Sequence, residues 1–311
     1  VRISVLVPTW NQRGTIEQAV RSALAQDHPD LEVVVGDDAS TDGTADVVAA
    51  LPADPRLRLH RARHNLGRVA NYRRCLGELA SGDFVLMLDG DDYLTCPDYL
   101  SRAARLIETH GAALVFGRIA MRDEATGAVR ETHQNHGLPE LLEGDELFLR
   151  LPEGDVALFH LSCVYQRRRA LALDFYRADV LSSDFESLQR LIVGARVGFV
   201  DAVAGVWRRH PESAIARTTP GERLANLASI TGPYLHARES GRFDEPTLRR
   251  WLARMLARKG ARDLRALLRE GERATAWAYL RELRRWSPAA AARVALDPRL
   301  LRAFVRRARR R

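Results

Sequence analysis

Continuous apolar runs that alternate with amphipathic stretches constrain the fold of this chain most. Residues 3–7, 31–36, 57–61 and 84–88 read as strands, with helical stretches at about 15–26, from Gly43 onward, 67–79 and 97–110. A strand covered on both faces loses its polar–apolar alternation, and parallel neighbours need helical crossovers. The pattern therefore predicts an α/β fold, Rossmann-like, with a mostly parallel central sheet and helices on both faces. Residues 113–118 continue it as a fifth strand. Residues 121–165 hold acidic, Gly- and His-containing stretches that read as loops and short elements. A helix around 184–193 and two strand-like runs, 196–200 and 203–208, follow.

Size and composition bound the rest. A chain of 311 residues with 46% hydrophobic and 28% charged content can bury a substantial core. No run approaches the length of a bilayer span, and the opening residues read as a strand rather than a signal peptide. The expectation is a cytoplasmic protein, with peripheral attachment at the inner face of the membrane as its variant. Cys75, Cys96 and Cys163 are far apart and lack metal-type spacing, so inert thiols in a reducing compartment are expected. The net charge of +8 is uneven: residues 241–311 hold 21 Lys+Arg against 7 Asp+Glu, and the preceding 240 residues hold 27 against 33. Lys259 is the sole lysine.

Asp89-Gly90-Asp91-Asp92 follows directly on the strand at 84–88. Open α/β sheets bind ligands at strand exits. Three acids within four residues repel one another, so the cluster suits a hard divalent cation shared with substrate phosphates. A solvated acidic turn capping the helix near Pro97 is the plainer reading of the tetrapeptide alone.

Four segments stand in a telling order. They are Ser4-Val5-Leu6-Val7-Pro8-Thr9-Trp10-Asn11, then Val33-Val34-Val35-Gly36-Asp37-Asp38-Ala39-Ser40-Thr41-Asp42-Gly43-Thr44, then Asn65-Leu66-Gly67 through Asp83-Phe84 to Asp92. Last come Ser183-Asp184-Phe185-Glu186-Ser187-Leu188 and, downstream, Trp207-Arg208-Arg209-His210. Together, over about residues 1–215, they resemble the inverting glycosyltransferases of family 2, which have the GT-A fold. The resemblance implies a nucleotide-sugar site at Pro8, Thr9, Trp10, Asp38, Asn65, Gly67, Asp89, Gly90 and Asp91. It implies one magnesium or manganese ion held by Asp91, Asp92 and His210, and a catalytic base at Asp184.

The chemistry fits those residue types. Trp10 offers a face for a nucleotide base, unless it is a half-buried core aromatic. Asp38 can accept a hydrogen bond from a base imide or ribose hydroxyl, and Gly67 permits close backbone approach. Asp37 and Asp42 also suit helix capping. A divalent ion bridging a diphosphate stabilises charge on the departing nucleotide. An inverting transfer needs one base and no covalent nucleophile. Asp184 serves as that base or as a helix N-cap, with Glu186 as the alternative. Two departures stand out: Ser183 replaces the Glu usual before the base, and Arg73 stands where many relatives carry Asn.

The expected activity is metal-dependent transfer from a nucleotide-diphosphate sugar, a UDP-sugar by family habit, to a glycan, lipid-linked or other acceptor hydroxyl. Synthesis of a surface polysaccharide or glycoconjugate is its setting. A nucleotidyltransferase would show a glycine-rich basic loop after the first strand, which Pro8-Thr9-Trp10-Asn11 is not. A non-catalytic sugar-nucleotide-binding or scaffold protein would lack the base or the metal ligands. No interleaved aromatics support nucleic-acid binding. Beyond residue 216 the chain reads as a basic α-helical region. Leu248, Trp251, Leu252, Met255 and Leu256 form one apolar stripe, and Leu300, Leu301, Phe304, Val305 and Ala308 another. Either these helices meet an anionic membrane surface, or they pack as a subdomain or homodimer element. Residues 121–182 are the expected seat of acceptor specificity.

Overall fold

A computed structural model of the protein describes residues 1–297 and Leu300. The chain divides into two compact units. One comprises residues 1–148, 154–179 and 183–211, and the other 149–153, 180–182 and 212 onward.

The first unit opens with β1 (Ile3–Thr9), α1 (Ile16–Leu24), β2 (Leu31–Asp37), α2 (Thr44–Ala49) and β3 (Leu57–Arg61). Next come α3 (Arg68–Arg74), extended by a π turn over Cys75–Leu79, then β4 (Phe84–Met87), β5 (Tyr93–Leu94), α4 (Tyr99–His110) and β6 (Leu114–Asp123). Then follow β7 (Val129–Glu131), β8 (Leu141–Glu143), α5 (Gly144–Arg150), β9 (Val164–Gln166), α6 (Arg167–Ala172), α7 (Ser183–Ile192) and β10 (Arg196–Arg209). The sheet runs β3-β2-β1-β4-β9-β6-β10-β5, with β7 and β8 joined to β6 and β10. β1 is parallel to β2 and β4, β2 to β3, and β6 to β10. This is the expected α/β architecture with short antiparallel additions.

Every residue of β1, β2 and β4 is buried, which is why these segments are mainly apolar and lack the polar–apolar alternation of a half-exposed strand. One face of the sheet packs Val5, Val7, Val33 and Leu86 against α1 and α4. On the other, a Cβ at Gly36 would lie 2.3 Å from Cys75 Sγ, so glycine on β2 lets the π turn come close. Burial pushes the Cys75 thiol up to about 12, in keeping with an inert core thiol.

One reading of the sequence gains detail and another needs correction. Residues 121–165, read as loops and short elements, supply β7, β8, α5 and most of β9, each too short to have been placed from its period. β9 inserts antiparallel between β4 and β6 and closes the sheet. The runs at 196–200 and 203–208 are one strand, β10, whose register with β6 shifts between Val200 and Gly205. That irregularity interrupts the alternation and makes one bent strand look like two.

The second unit contains α8 (Pro220–Ala225), α9 (Ala228–Glu239), α10 (Glu245–Glu270), α11 (Arg273–Trp286) and α12 (Pro288–Ala295). Asp244 caps α10 by accepting the Thr247 N–H, and Thr219 with Glu222 forms a capping box at α8. α10 packs on α9, α11 and α12. The stripe of Leu248, Trp251, Leu252, Met255 and Leu256 is buried, so it is not free to meet a bilayer. The second stripe lies outside the described residues beyond Leu300. Lys259 is buried 3.0 Å from Asp263, which also accepts the Tyr279 hydroxyl at 2.9 Å. Among the described residues, no helix is long and apolar enough to cross a membrane.

Candidate active site

Three strand exits meet at one edge of the first unit. β4 pairing continues past its end, with Leu88 N–H donating to Leu6 and Gly90 N–H to the Pro8 carbonyl at 3.2 Å. The Asp38 N–H donates to the Thr9 carbonyl at 2.9 Å. Backbone bonding thus sets Asp38, Pro8-Thr9 and Asp89-Gly90 side by side. A Cβ at Gly90 would lie 2.4 Å from Gln12 Oε1 and 2.9 Å from Thr9 Oγ1, so any larger residue would displace those side chains beneath the turn.

The side chains around this edge differ in their commitments. Trp10 is 52% exposed and no core residue, on a turn where Asn11 takes φ 52°. Asp38 is buried and accepts the Leu66 N–H (2.8 Å) and Gly67 N–H (3.0 Å), one on each carboxylate oxygen. The Asn65 amide reaches the Asp38 carbonyl at 3.3 Å. Asp37 holds Ser40 and pairs with Arg61, and Asp42 holds Thr44 and the Arg13 N–H, so both brace the loops.

In the acidic motif, Asp91 Oδ2 lies 3.0 Å from His210 Nε2, and both side chains are partly exposed. The two are 119 residues apart in sequence. Asp92 is 4% exposed and accepts the Arg208 N–H at 2.9 Å, tying the motif to β10. Asp89 accepts the Tyr72 hydroxyl at 2.7 Å. Burial raises the pKa of Asp89 and the charge of Asp91 adds to it, against the opposing effects of His160, the Tyr72 hydroxyl and Arg68. Asp92 is pushed well above the usual carboxylate range by burial and by Asp91 and Asp89. Burial and mutual repulsion thus make ionisation of Asp89 and Asp92 costly, and positive charge placed beside them relieves that cost. Among the described residues, no group of three or more His, Cys, Asp or Glu side chains could by itself hold a metal ion. The pair Asp91 and His210 offers one oxygen and one nitrogen donor.

Asp184 lies in the first turn of α7. Two residues on, Glu186 is turned inward at 1% exposure. It pairs with the equally buried Arg190 at 2.8 Å and with Arg177 at 3.2 Å. A second Arg190 N–H donates to the other carboxylate oxygen at 2.9 Å, so Glu186 is fully engaged, whereas the charge of Asp184 acts on Arg68. The Arg68 guanidinium sits 5.4 Å from the centre of the Tyr72 ring. Burial works against its charge, but Tyr72, Asp184 and Asp89 outweigh that and raise its pKa. One cation thus feels both the acidic motif and the α7 carboxylate. Sequence reasoning missed Arg68, Tyr72 and His160. Arg68 and Tyr72 are one helical turn apart after Asn65-Leu66-Gly67, a spacing that could have flagged them, whereas His160 had no signal.

The profile of the family described as Glycosyl transferase family 2 matches residues 4–172. An uncharacterized protein of Mycobacterium tuberculosis is 31% identical over 229 residues, 70% of this chain and 69% of that protein. The GalNAc(5)-diNAcBac-PP-undecaprenol beta-1,3-glucosyltransferase of Campylobacter jejuni is 31% identical over 171 residues, 54% of each chain. The matches to named relatives such as this one span about half their length or less. Among solved structures, TarS of S. aureus in complex with UDP-GlcNAc superposes with a TM-score of 0.60 at 19% identity, over 91% of this chain and 90% of that one. The mannosyltransferase PcManGT of Pyrobaculum calidifontis, with GDP-Man and Mn2+, gives 0.57 at 21% identity over 96% and 87%. At these identities the structural likeness establishes a shared fold.

Proposed function

The chain belongs to glycosyl transferase family 2, and we propose that it moves a sugar from a nucleoside-diphosphate sugar to an acceptor hydroxyl with inversion at the anomeric carbon. The observation that carries this reading is the convergence at one sheet edge of Trp10, Asp38, the Asp89–Asp92 motif and His210, with Asp184 coupled to them through Arg68. A UDP-sugar is the donor we favour, and a lipid-linked or glycan hydroxyl the acceptor. The relatives solved with UDP-GlcNAc and named for an undecaprenol-linked substrate support both.

Trp10 stacks on the base. Asp38 keeps a free lone pair on each oxygen while holding Leu66 and Gly67, so it can accept from the base or ribose. Pro8, Thr9, Asn65, Gly67 and Gly90 shape the backbone around the nucleotide, and Asp89 meets the ribose. Asp91 and His210 would hold a magnesium or manganese ion, a hard cation that shares its site with substrate phosphates. Asp92, expected among the ligands, then serves to fix the motif to β10. Bound there, the ion supplies positive charge to the leaving diphosphate. Asp184 takes the acceptor proton as the hydroxyl oxygen attacks, and the nucleoside diphosphate departs from the opposite face.

The test is a screen of UDP-, GDP- and dTDP-sugars with Mn2+, followed by Asp184→Asn. Turnover should fall by roughly 10²–10⁴-fold while nucleotide affinity stays nearly unchanged. Near-normal turnover would remove Asp184 from the chemistry. His210→Ala should weaken Mn2+-dependent nucleotide binding, and unchanged metal dependence would take His210 out of the site.

We also propose that α11 lies against an anionic lipid surface. Arg273, Trp277, Arg281 and Arg284 recur at turn spacing on its exposed side, and Trp277 is 66% exposed. Among the described residues these three arginines have no acidic partner within ion-pair distance. An Arg-rich face with an exposed indole suits the interfacial zone of an anionic bilayer.

A further inference from the structure

Tyr72 lies on α3, is 3% exposed, and is held by its neighbours from two sides. Its ring meets His160 edge-on at 5.3 Å and 74°, and Tyr176 at 5.3 Å and 47°. Those two side chains are themselves fixed. The Tyr176 hydroxyl bonds His160 Nε2 at 2.8 Å and the Tyr165 hydroxyl at 2.8 Å. The Tyr176 N–H donates to Ser187 Oγ at 2.8 Å, which anchors the cluster to α7, the helix of Asp184. Tyr176 and Asp174 both take positive φ (61° and 49°), and the buried Arg190 holds the Leu173 and Asp174 carbonyls where this turn begins. A strained loop held this way is built to place something. What it places is one hydroxyl, donating to Asp89 Oδ1 at 2.7 Å.

We infer that Tyr72 is a positioning residue for the nucleotide donor: its clamped hydroxyl fixes the rotamer of Asp89, and the aromatic cluster fixes Tyr72. Asp89 follows β4 at a loop and carries two free χ angles, so without this bond its carboxylate samples several directions. A charge-assisted hydrogen bond from a buried, immobile donor removes that freedom before the nucleotide arrives. Burial and the adjacent Asp89 charge raise the phenol's own pKa well above its ordinary value, so the group stays a donor throughout the working pH range. The cluster also joins the donor motif to the helix of the base, so both reacting ends share one rigid support. The inference rests on the reading of Asp89 as a nucleotide contact.

Tyr72→Phe tests it, because the ring and its contacts with His160 and Tyr176 are kept and only the hydroxyl is lost. Binding of UDP, GDP and dTDP with Mn2+ is measured by calorimetry on the full chain for wild type, Tyr72→Phe, Asp89→Asn and the double variant, alongside thermal midpoints. The expected result is about tenfold weaker binding in Tyr72→Phe at an unchanged midpoint. In the Asp89→Asn background the same change should alter binding by less than about twofold, since the charge-assisted bond and the carboxylate it orients are then already gone. Wild-type affinity in Tyr72→Phe beside a weakened Asp89→Asn overturns the inference and leaves the functional reading standing. So does an equal loss in both backgrounds, which would mark a general effect on the fold. Normal binding by Asp89→Asn removes Asp89 from the site, and with it both the reading and the inference.

Discussion

Glu32 on β2 is 2% exposed, yet its carboxylate accepts the Ser4 hydroxyl and the Ser81 N–H and pairs with Arg58 at 3.1 Å and Arg2 at 3.5 Å. Burial opposes its ionisation, but the hydrogen bonds from Ser4 and Ser81 and the charge of Arg2 prevail and bring its pKa down to about 2. A carboxylate depressed in the folded state stabilises fully above its unfolded pKa and loses that contribution as pH falls through the folded value. Glu32→Gln should therefore cost about 3 kcal/mol at pH 7, with wild type and variant converging as pH drops from about 4.5 to 2. Urea unfolding at stepped pH checks this, and a cost independent of pH contradicts it. Glu186→Gln should be equally severe for another reason. It strips the buried Arg190 of its partner, at about 3–5 kcal/mol, and a thermal scan will show it. The candidate site was legible where chemistry demands a residue type at a fixed place: Trp10, Asp38, Asp91 and His210. It was illegible where a side chain acts through another. Arg68 and Tyr72 showed only a one-turn spacing, which by itself assigns neither a role, and His160 sits in a stretch without period.

Long elements buried on both faces declared themselves, because an apolar run of five to seven residues has few other uses. β9 did not, since its three residues carry no period and its place between β4 and β6 is set by distant partners. β10 was visible but broken in two by its irregular register. The start of α5 shows a constraint of the same non-local kind. A Cβ at Gly144 would fall 1.9 Å from the Ile192 carbonyl oxygen and 2.7 Å from that of Ala195, so the backbone leading from α7 into β10 crosses directly over it. Backbone yields poorly, and Gly144→Ala should destabilise by about 1–3 kcal/mol or more. Gly77→Ala, with nothing within 4 Å, is the control and should be neutral or slightly stabilising. Chemical denaturation of the two variants side by side decides the matter.

Across the whole molecule, charge and chemistry are segregated. The site residues all belong to the unit that ends at Pro211, while residues 241–311 carry three times as many basic as acidic groups. If α11 meets lipid, the full chain should sediment with anionic vesicles and release in high salt. Gln at Arg273, Arg281 and Arg284 should remove about 1 kcal/mol apiece, roughly a hundredfold in partitioning altogether. Those residues are exposed, so the fold should survive, and vesicle binding unaffected by all three changes would end the membrane reading. The apolar pattern of α10 was legible as an amphipathic helix, but not what it faced, because a stripe buried by neighbouring helices and one buried in lipid have the same period. The sole lysine has a practical consequence. Lys259 is shut between α10 and its neighbours beside Asp263, and burial lowers its pKa while the Asp263 charge opposes this. Reagents that acylate amines find no other side chain of that type in these residues. The rate at which the ε-amine is modified therefore counts how often the helical unit opens, a built-in clock for its breathing.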